Sequence, residues 1–146
     1  MTIAFDVQGL ARTLGEQYPD IRVPAAGTLL VAPDVMPEIA LYLRDTEGLK
    51  FDYVNYITAV DYYQYFEIVY RLTSTEYNHT MTVKVRTAGR DNQSVPSVTG
   101  TWQAADFQER EIFDLFGISF EGHPNLQRIF LWEGFEGYPL RKDFTW

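Results

Sequence analysis

The sequence predicts an α+β domain, in which a mixed β-sheet carries helices packed on one face. Two features of the 146 residues lead to this fold class. Several segments place apolar residues at steps of three and four, which is typical of helices. Between the second and the third of these segments lie two consecutive runs in which apolar and polar residues alternate, which is typical of a β-hairpin. The length suits one compact domain.

The first helix is predicted to follow Asp6, whose carboxylate can cap it, and to end before Tyr18 and Pro19. Its apolar positions have helical spacing: Val7, Leu10, Ala11 and Leu14. A short apolar run at residues 28–32 has the length of a strand.

The second helix is predicted between Asp34, which can cap it, and Gly48, which can end it. Pro37 fits its first turn. The apolar stripe of this helix comprises Met36, Ile39, Ala40 and Leu43. β-Branched and aromatic residues then predict a strand at residues 50–60.

The hairpin is predicted from two alternating runs on either side of residues 74–79. Its buried face would comprise Phe66, Ile68, Tyr70, Leu72, Met81, Val83 and Val85. Residues 88–100 contain turn formers but no periodicity, which predicts a loop. His79, at a hairpin end, is expected to be exposed.

A third helix is predicted for "ADFQEREIFDLF", with Gly117 as its C-terminal stop. Glu109 falls within the apolar stripe of this helix, so we expect it to be buried and to meet an Arg, a Lys or a backbone N–H group. The opposite face carries Phe107, Arg110, Glu111 and Asp114. This face is interpreted either as a solvated surface or as a second contact surface.

The last segment, residues 117–146, lacks sustained periodicity but is too aromatic for a solvated linker. "FEGHP" returns as "FEGYP", and basic residues follow each of these two turns. We therefore predict a core domain at residues 1–116 and an extended docking tail at residues 117–146. The tail must lie on a surface of its own domain or of another subunit.

Composition excludes several functions. The net charge of −8 and the pI of about 4.6 argue against nucleic acid as a partner. The absence of cysteine removes cysteine-ligated iron–sulfur clusters and zinc ribbons, and no apolar run reaches the roughly 20 residues that would span a bilayer. No Rossmann, Walker or H-E-x-x-H motif is present.

Two enzymatic alternatives remain at this point. His123 could act as an imidazole base, although its Gly-x-Pro turn makes a structural hydrogen bond the favoured interpretation. A glycosidase-like pair could come from Glu109, Glu111 and Asp114, but two of these adjoin basic residues and no sugar platform is evident. A small self-contained hydrolase is thus a distant rival to an interaction protein.

Residues 57–144 resemble the thirty-kilodalton, C-type subunit of NADH-quinone oxidoreductase (respiratory complex I). The resemblance rests on "ERE", on "DLFGISFEGHPNL" and on "GYPLRKDF". The sequence departs from the family pattern at Gln127, where Arg is usual, at Tyr138, where His is usual, and in stopping at Trp146. The stop leads us to expect a smaller or alternative complex.

The resemblance implies a peripheral subunit on the cytoplasmic side of the cell membrane. Such a subunit has no catalytic activity and binds no cofactor of its own. It packs against the large quinone-site subunit and neighbouring hydrophilic-arm subunits. Flavin, iron–sulfur clusters, NADH, quinone and proton translocation belong to the assembled complex. Related membrane-bound hydrogenases and ferredoxin-fed complexes contain the same type of subunit, so the electron donor is left open.

The residues expected at the partner interface carry charges of both signs among aromatic rings, an arrangement suited to fixing orientation. They are Phe107, Glu109, Arg110, Glu111, Asp114, His123, Arg128, Arg141, Lys142 and Asp143. No catalytic or metal-binding residue is predicted.

Overall fold

The computed structural model describes residues 2–132 and 134–145, so Trp146 at the end of the predicted tail lies outside the described residues. Within them, strands β1 to β6 form the main sheet and span Ile3–Ala4, Arg22–Ala25, Thr28–Val31, Tyr53–Asp61, Phe66–Ser74 and His79–Arg86. Helices α1, α2 and α3 span Val7–Gly15, Met36–Asp45 and Ala105–Phe116. Strands β7 (Ser94–Pro96) and β8 (Ser119–Glu121) form a separate parallel pair.

The main sheet is mixed, as predicted. Its strand order is β2-β3-β6-β5-β4, and β1 also pairs with β6. The β4–β5 and β5–β6 pairs are antiparallel, whereas β3 and β1 run parallel to β6. The predicted hairpin is β5–β6, which lies in the middle of the sheet, and β4 forms one edge. These observations confirm the α+β fold class.

One hydrophobic core lies between the helices and one face of the sheet. The inward positions of β5 are fully buried, and so is the predicted stripe of α2, no member of which is more than 1% exposed. Burying each large apolar side chain contributes roughly 1.5–3 kcal/mol, so this face holds the layers together. Side chains on the other face of β4, β5 and β6 are mostly exposed or half-buried.

The helix boundaries follow the predictions only in part; α2, for example, ends at Asp45, before the predicted stop at Gly48. The Asp6 carboxylate accepts a hydrogen bond from the Gln8 N–H at 3.2 Å, which confirms the predicted cap of α1. The prediction that Asp34 caps the second helix was wrong. Pro33 starts a 3₁₀ turn, Pro33–Val35, and the α-helix begins only at Met36, without a side-chain cap.

Four of the short strands had no counterpart among the predicted elements. β1, β2, β7 and β8 contain two to four residues each, too few to show alternation. β7 lies within the segment predicted to be a loop, and its partner β8 belongs to the predicted tail. Ile118 and Phe120, beside and within β8, are buried in the common core. The division after residue 116 stays a prediction.

His79 is not exposed, contrary to the sequence-based expectation. Its ring lies 4.7 Å from that of Phe5 and 4.8 Å from that of Phe51, and it stacks on Tyr77 at 5.7 Å. Its Nε2 atom is 3.1 Å from the Leu49 carbonyl oxygen. Residues distant in the sequence therefore cover the hairpin end, which local pattern could not indicate.

Candidate functional site

Glu109, in the middle of α3, is completely buried. One carboxylate oxygen accepts a hydrogen bond from the Ser97 hydroxyl at 2.6 Å, and the other accepts from the Val98 N–H at 2.9 Å. The predicted backbone partner is thus confirmed. Burial raises the pKa of Glu109, and the two hydrogen bonds oppose that rise. Glu109 joins α3 to the segment after β7 and does not face solvent.

Asp114 is also completely buried, which corrects its assignment to an outer face of the helix. One of its oxygens accepts hydrogen bonds from three successive N–H groups, those of Ile129 at 3.2 Å, Phe130 at 2.7 Å and Leu131 at 3.2 Å. The tail folds back over α3 and removes this carboxylate from water. A helical wheel shows only the helix, so it could not show this cover.

Arg128 organises the second turn of the tail around Asp114. Its Nε lies 3.3 Å from the Asp114 carboxylate. Its terminal nitrogens donate to the carbonyls of Phe135, at 2.8 Å, and Gly137, at 2.7 Å. The guanidinium also lies over the Tyr138 ring, 4.8 Å from its centroid. One side chain thus satisfies several groups of a segment that lacks regular secondary structure.

Arg141 ties the end of the tail to the core. Its Nε donates to the Phe116 carbonyl at 2.6 Å, and the guanidinium lies between the rings of Phe66 and Tyr138, 5.2 and 4.9 Å from their centroids. Gly117 permits this arrangement. It has a positive φ of 78°, and a Cβ there would lie 2.6 Å from the Tyr138 ring.

A second attachment of the tail, centred on Asp61, was missed by the sequence analysis. Asp61 is 3% exposed and forms an ion pair with Arg90, which also lies 3.2 Å from Asp143. Asp61 accepts a hydrogen bond from the Lys142 N–H at 2.8 Å. The Arg90 hydrogen bond holds the pKa of Asp61 well below its usual range, against the effect of burial. No local pattern links these distant residues.

His123 has a structural role in the first tail turn, as favoured from the sequence. Its ring is fully buried, and Nδ1 accepts a hydrogen bond from the Asn125 N–H at 2.9 Å. Nε2 is therefore left to donate toward the Asp106 carbonyl, also at 2.9 Å. Both nitrogens hold backbone groups, and neither is presented as a base.

An exposed aromatic surface lies where α3 meets the tail. It consists of Phe107 and Phe130, which are 55% and 58% exposed. Trp132, further along the tail and 68% exposed, packs edge to face against Phe135. The Phe107 and Phe130 rings meet edge to face with centroids 6.4 Å apart. Nearby, Arg110 donates to the Gln127 carbonyl at 3.3 Å. Exposed rings fixed in this way are typical of protein-binding surfaces.

The structure divides the ten predicted interface residues into three groups by exposure. The side chains buried within the chain are those of Glu109, Asp114 and His123. Half-buried ones that hold the tail are Arg110, Arg128 and Arg141. The exposed ones are Phe107, Glu111, Lys142 and Asp143. The interface role itself stays a prediction for all ten.

The described part of the chain contains no group of three or more His, Asp or Glu side chains arranged to hold a metal ion. Within the same residues, no helix is both long and apolar enough to cross a membrane.

The sequence profile of the family described as "Respiratory-chain NADH dehydrogenase, 30 Kd subunit" matches residues 29–146. The chain belongs to this family. A C-type subunit of NADH-quinone oxidoreductase from Rhizobium meliloti is 44% identical over 117 residues, which are 78% of this chain and 63% of that protein. NADH dehydrogenase [ubiquinone] iron–sulfur protein 3, mitochondrial, of Candida albicans is 42% identical over 80% of this chain and 42% of its own length. The chain thus spans less than two thirds of these relatives.

Two solved structures resemble this family member. One, from the membrane-bound sulfane sulfur reductase, an archaeal respiratory membrane complex, has a TM-score of 0.75 and 27% identity, and covers 97% of this chain and 86% of the other. The other, a trypsin-resistant fragment of Nqo5, has a TM-score of 0.61 and 31% identity, and covers 82% of this chain and 98% of the fragment.

Proposed function

We propose that this chain is a non-catalytic subunit of the hydrophilic arm of a proton-translocating NADH-quinone oxidoreductase. In this proposal it packs against the large quinone-site subunit on the cytoplasmic side of the membrane. Flavin, iron–sulfur clusters, NADH and quinone bind elsewhere in the complex. The chain supports electron transfer by holding the large subunit in position. Membership of the family and the names of the relatives support this assignment.

The observation that carries the proposal is the way α3 and the tail use their charges. Glu109, Asp114 and Arg128 direct their polar atoms at backbone groups of the same chain. The contacts of Asp114 and Arg128 fix the tail, and the fixed tail packs Phe130 against Phe107 while both rings stay exposed. Rigid exposed aromatic rings lose little conformational entropy on binding, so they are effective anchors in an interface.

A second candidate is the equivalent subunit of another respiratory membrane complex, such as a membrane-bound hydrogenase or a ferredoxin-fed quinone reductase. This candidate is supported by the similarity to the sulfane sulfur reductase chain, which extends along nearly the whole length of this chain. Identity is higher to the NADH-quinone oxidoreductase relatives, at 44% against 27%, and this difference favours the first candidate.

The test is purification of the full chain from native membranes through an affinity tag, followed by identification of the co-purifying subunits and assay of NADH-dependent quinone reduction. We expect a large complex with that activity. Phe107→Asp and Phe130→Asp should reduce the amount of intact complex, since each places a charge in an apolar contact. Leu41→Asp, at an exposed apolar residue of α2, is the matched control.

A complex that reduces another acceptor, or that takes electrons only from ferredoxin or hydrogen, would favour the second candidate. Recovery of the chain alone, or unchanged assembly of both phenylalanine variants, would contradict the proposed packing.

A further inference from the structure

The face of the main sheet that points away from the helices has a charge opposite to that of the whole chain. We call it the open face; the residues used below are Tyr56, Thr58, Glu67, Arg71, Lys84 and Arg86. Strand pairing places Tyr56 opposite Arg71, and Glu67 opposite Arg86. Val69, between Glu67 and Arg71 on the same face of β5, pairs with Thr58 of β4 on one side and with Lys84 of β6 on the other. These residues therefore share one surface across three strands.

The carboxylate of Glu67 is already neutralised. It is 1% exposed and lies 3.1 Å from Lys84 Nζ and 2.9 Å from Arg86 Nε. Three cations and one carboxylate give these strand positions a net charge of +2, whereas the whole chain carries −8. The remainder of the chain therefore carries −10, and the open face is a local positive region on an acidic protein.

Arg71 has no anionic partner within the described residues. Its terminal nitrogen donates to the Thr82 hydroxyl at 2.8 Å, and no described carboxylate lies within ion-pair distance. A half-buried guanidinium without an anionic partner is stabilised by binding a carboxylate, which it can do through two parallel hydrogen bonds. Tyr56, opposite Arg71 and 46% exposed, adds an aromatic contact with a hydroxyl group.

We propose that the open face docks a carboxylate-rich segment of a neighbouring protein subunit. This inference rests on the proposed function, because it takes that neighbour to be part of the same complex. It adds a second interface, on the side of the sheet opposite to α3 and the aromatic surface. A phosphate backbone or an anionic membrane fits less well, since the net charge of −10 on the remainder of the chain would repel an extended polyanion.

The register also indicates the spacing of the partner's carboxylates. Arg71 and Lys84 are diagonal neighbours on adjacent strands, since Arg71 pairs with Thr82, two residues before Lys84. Diagonal side chains of this kind lie roughly 7–8 Å apart. Alternate residues of an extended segment, at about 3.3 Å per residue, give nearly the same separation. An acidic segment with carboxylates at alternate positions would match this face.

The first experiment maps what covers the open face in the assembled complex. The photocrosslinker p-benzoylphenylalanine is incorporated in place of Thr58, which is exposed, or in place of Arg12, on the exposed side of α1, as the control. After irradiation of the purified complex, the joined peptides are identified by mass spectrometry. We expect the probe at position 58 to join a peptide of net negative charge from another subunit.

The second experiment tests whether the positive charge of the open face is needed for assembly. Two variants of the full chain are used: Arg71→Glu, and Thr58→Glu at an exposed position. Each should weaken retention in the complex by about tenfold or more, because carboxylates would then face carboxylates. Arg12→Glu makes the same charge change as Arg71→Glu outside the face and should have little effect. Replacing the crosslinked acidic residues of the partner by lysine should restore assembly with Arg71→Glu.

The outcomes separate this inference from the proposed function. Normal assembly with Arg71→Glu and Thr58→Glu would overturn it and leave the proposed function intact. So would a crosslink from position 58 to a neutral or basic peptide, to lipid, to nucleic acid or to a second copy of this chain. Recovery of the wild-type chain outside any complex would overturn both. A cooperative melt of each variant shows that lost assembly does not reflect unfolding.

Discussion

Removing the Asp114 carboxylate should detach the tail from α3 and destabilise the chain. The carboxylate is fully buried, accepts three successive backbone N–H groups and lies 3.3 Å from Arg128 Nε. Hydrogen bonds to a charged group contribute roughly 1.5–3 kcal/mol each, which would give about 4.5–9 kcal/mol if they were additive. The true loss is smaller, because a released tail can bind water through the same N–H groups.

We therefore expect Asp114→Ala to lower the free energy of unfolding by about 3–5 kcal/mol, the usual cost of removing one partner of a buried ion pair. Asp114→Asn keeps a carbonyl acceptor of the same shape but loses the charge, so it should cost only about 1–2 kcal/mol. Glu111→Gln changes an exposed carboxylate on the same helix and should stay within about 0.5 kcal/mol of the wild-type chain.

Urea unfolding followed by circular dichroism gives the free energies, and amide hydrogen exchange reports on the tail. The amides of Ile129, Phe130 and Leu131 should exchange roughly a hundredfold faster in Asp114→Ala, as a loss of about 3 kcal/mol requires. Unfolding and exchange rates in Asp114→Ala equal to those of the wild-type chain would refute the reasoning. Equal damage from Glu111→Gln would show that α3 is merely sensitive to any substitution.

The same contacts support three further predictions. Because burial raises the pKa of Glu109, its contribution to stability is full below the unfolded pKa, about 4.3, and is lost as the pH rises through the folded pKa. Urea unfolding across pH should show that the free energy of unfolding of Glu109→Gln increases relative to that of the wild-type chain as the pH rises. Glu109→Leu should lose about 1–3 kcal/mol, because the Val98 N–H is left unpaired. Parallel pH profiles for Glu109→Gln and the wild-type chain would contradict this. Arg141→Met should lower the amount of intact complex on native gels by weakening tail docking by about 1.5–3 kcal/mol, with unchanged quinone reduction per assembled complex; full assembly without activity would place Arg141 in the chemistry. The sequence-based division predicts that a chain ending at Phe116 folds by itself, but the burial of Ile118 and Phe120 in the common core leads us to expect that this chain loses its cooperative thermal melt and that a chain ending at Glu121 keeps it. Equal melts would support the division after residue 116 and show that β8 is dispensable.

The elements with strong periodicity could be predicted because their burial depends mainly on their own residues. The stripe of α2, the alternation of β5 and β6 and the αL residue Gly117 after α3 all behave as local rules require. The burial of Glu109 was also predictable, since an acidic residue within an apolar stripe has to be paired. Family membership was predictable because the sequence contains several long motifs that resemble those of the family.

The attachment of the tail could not be predicted in this way. Asp114 and Asp61 differ little from exposed aspartates in sequence, and each becomes buried because a segment many residues away returns to cover it. Their partners are mostly backbone N–H groups, which have no sequence signature. The same holds for Arg71, whose lack of a carboxylate partner among the described residues depends on the register of neighbouring strands.

The helices, the hairpin, the one-sided core and the family could all be read from the order of the residues, because they depend on local spacing and on residue types that alternate or repeat. Which charges are buried inside the chain, and which are left for a partner, became visible only in the folded molecule. The reason is that a charge is stabilised by the groups around it in space, and in this protein those groups come from the folded-back tail and from adjacent strands.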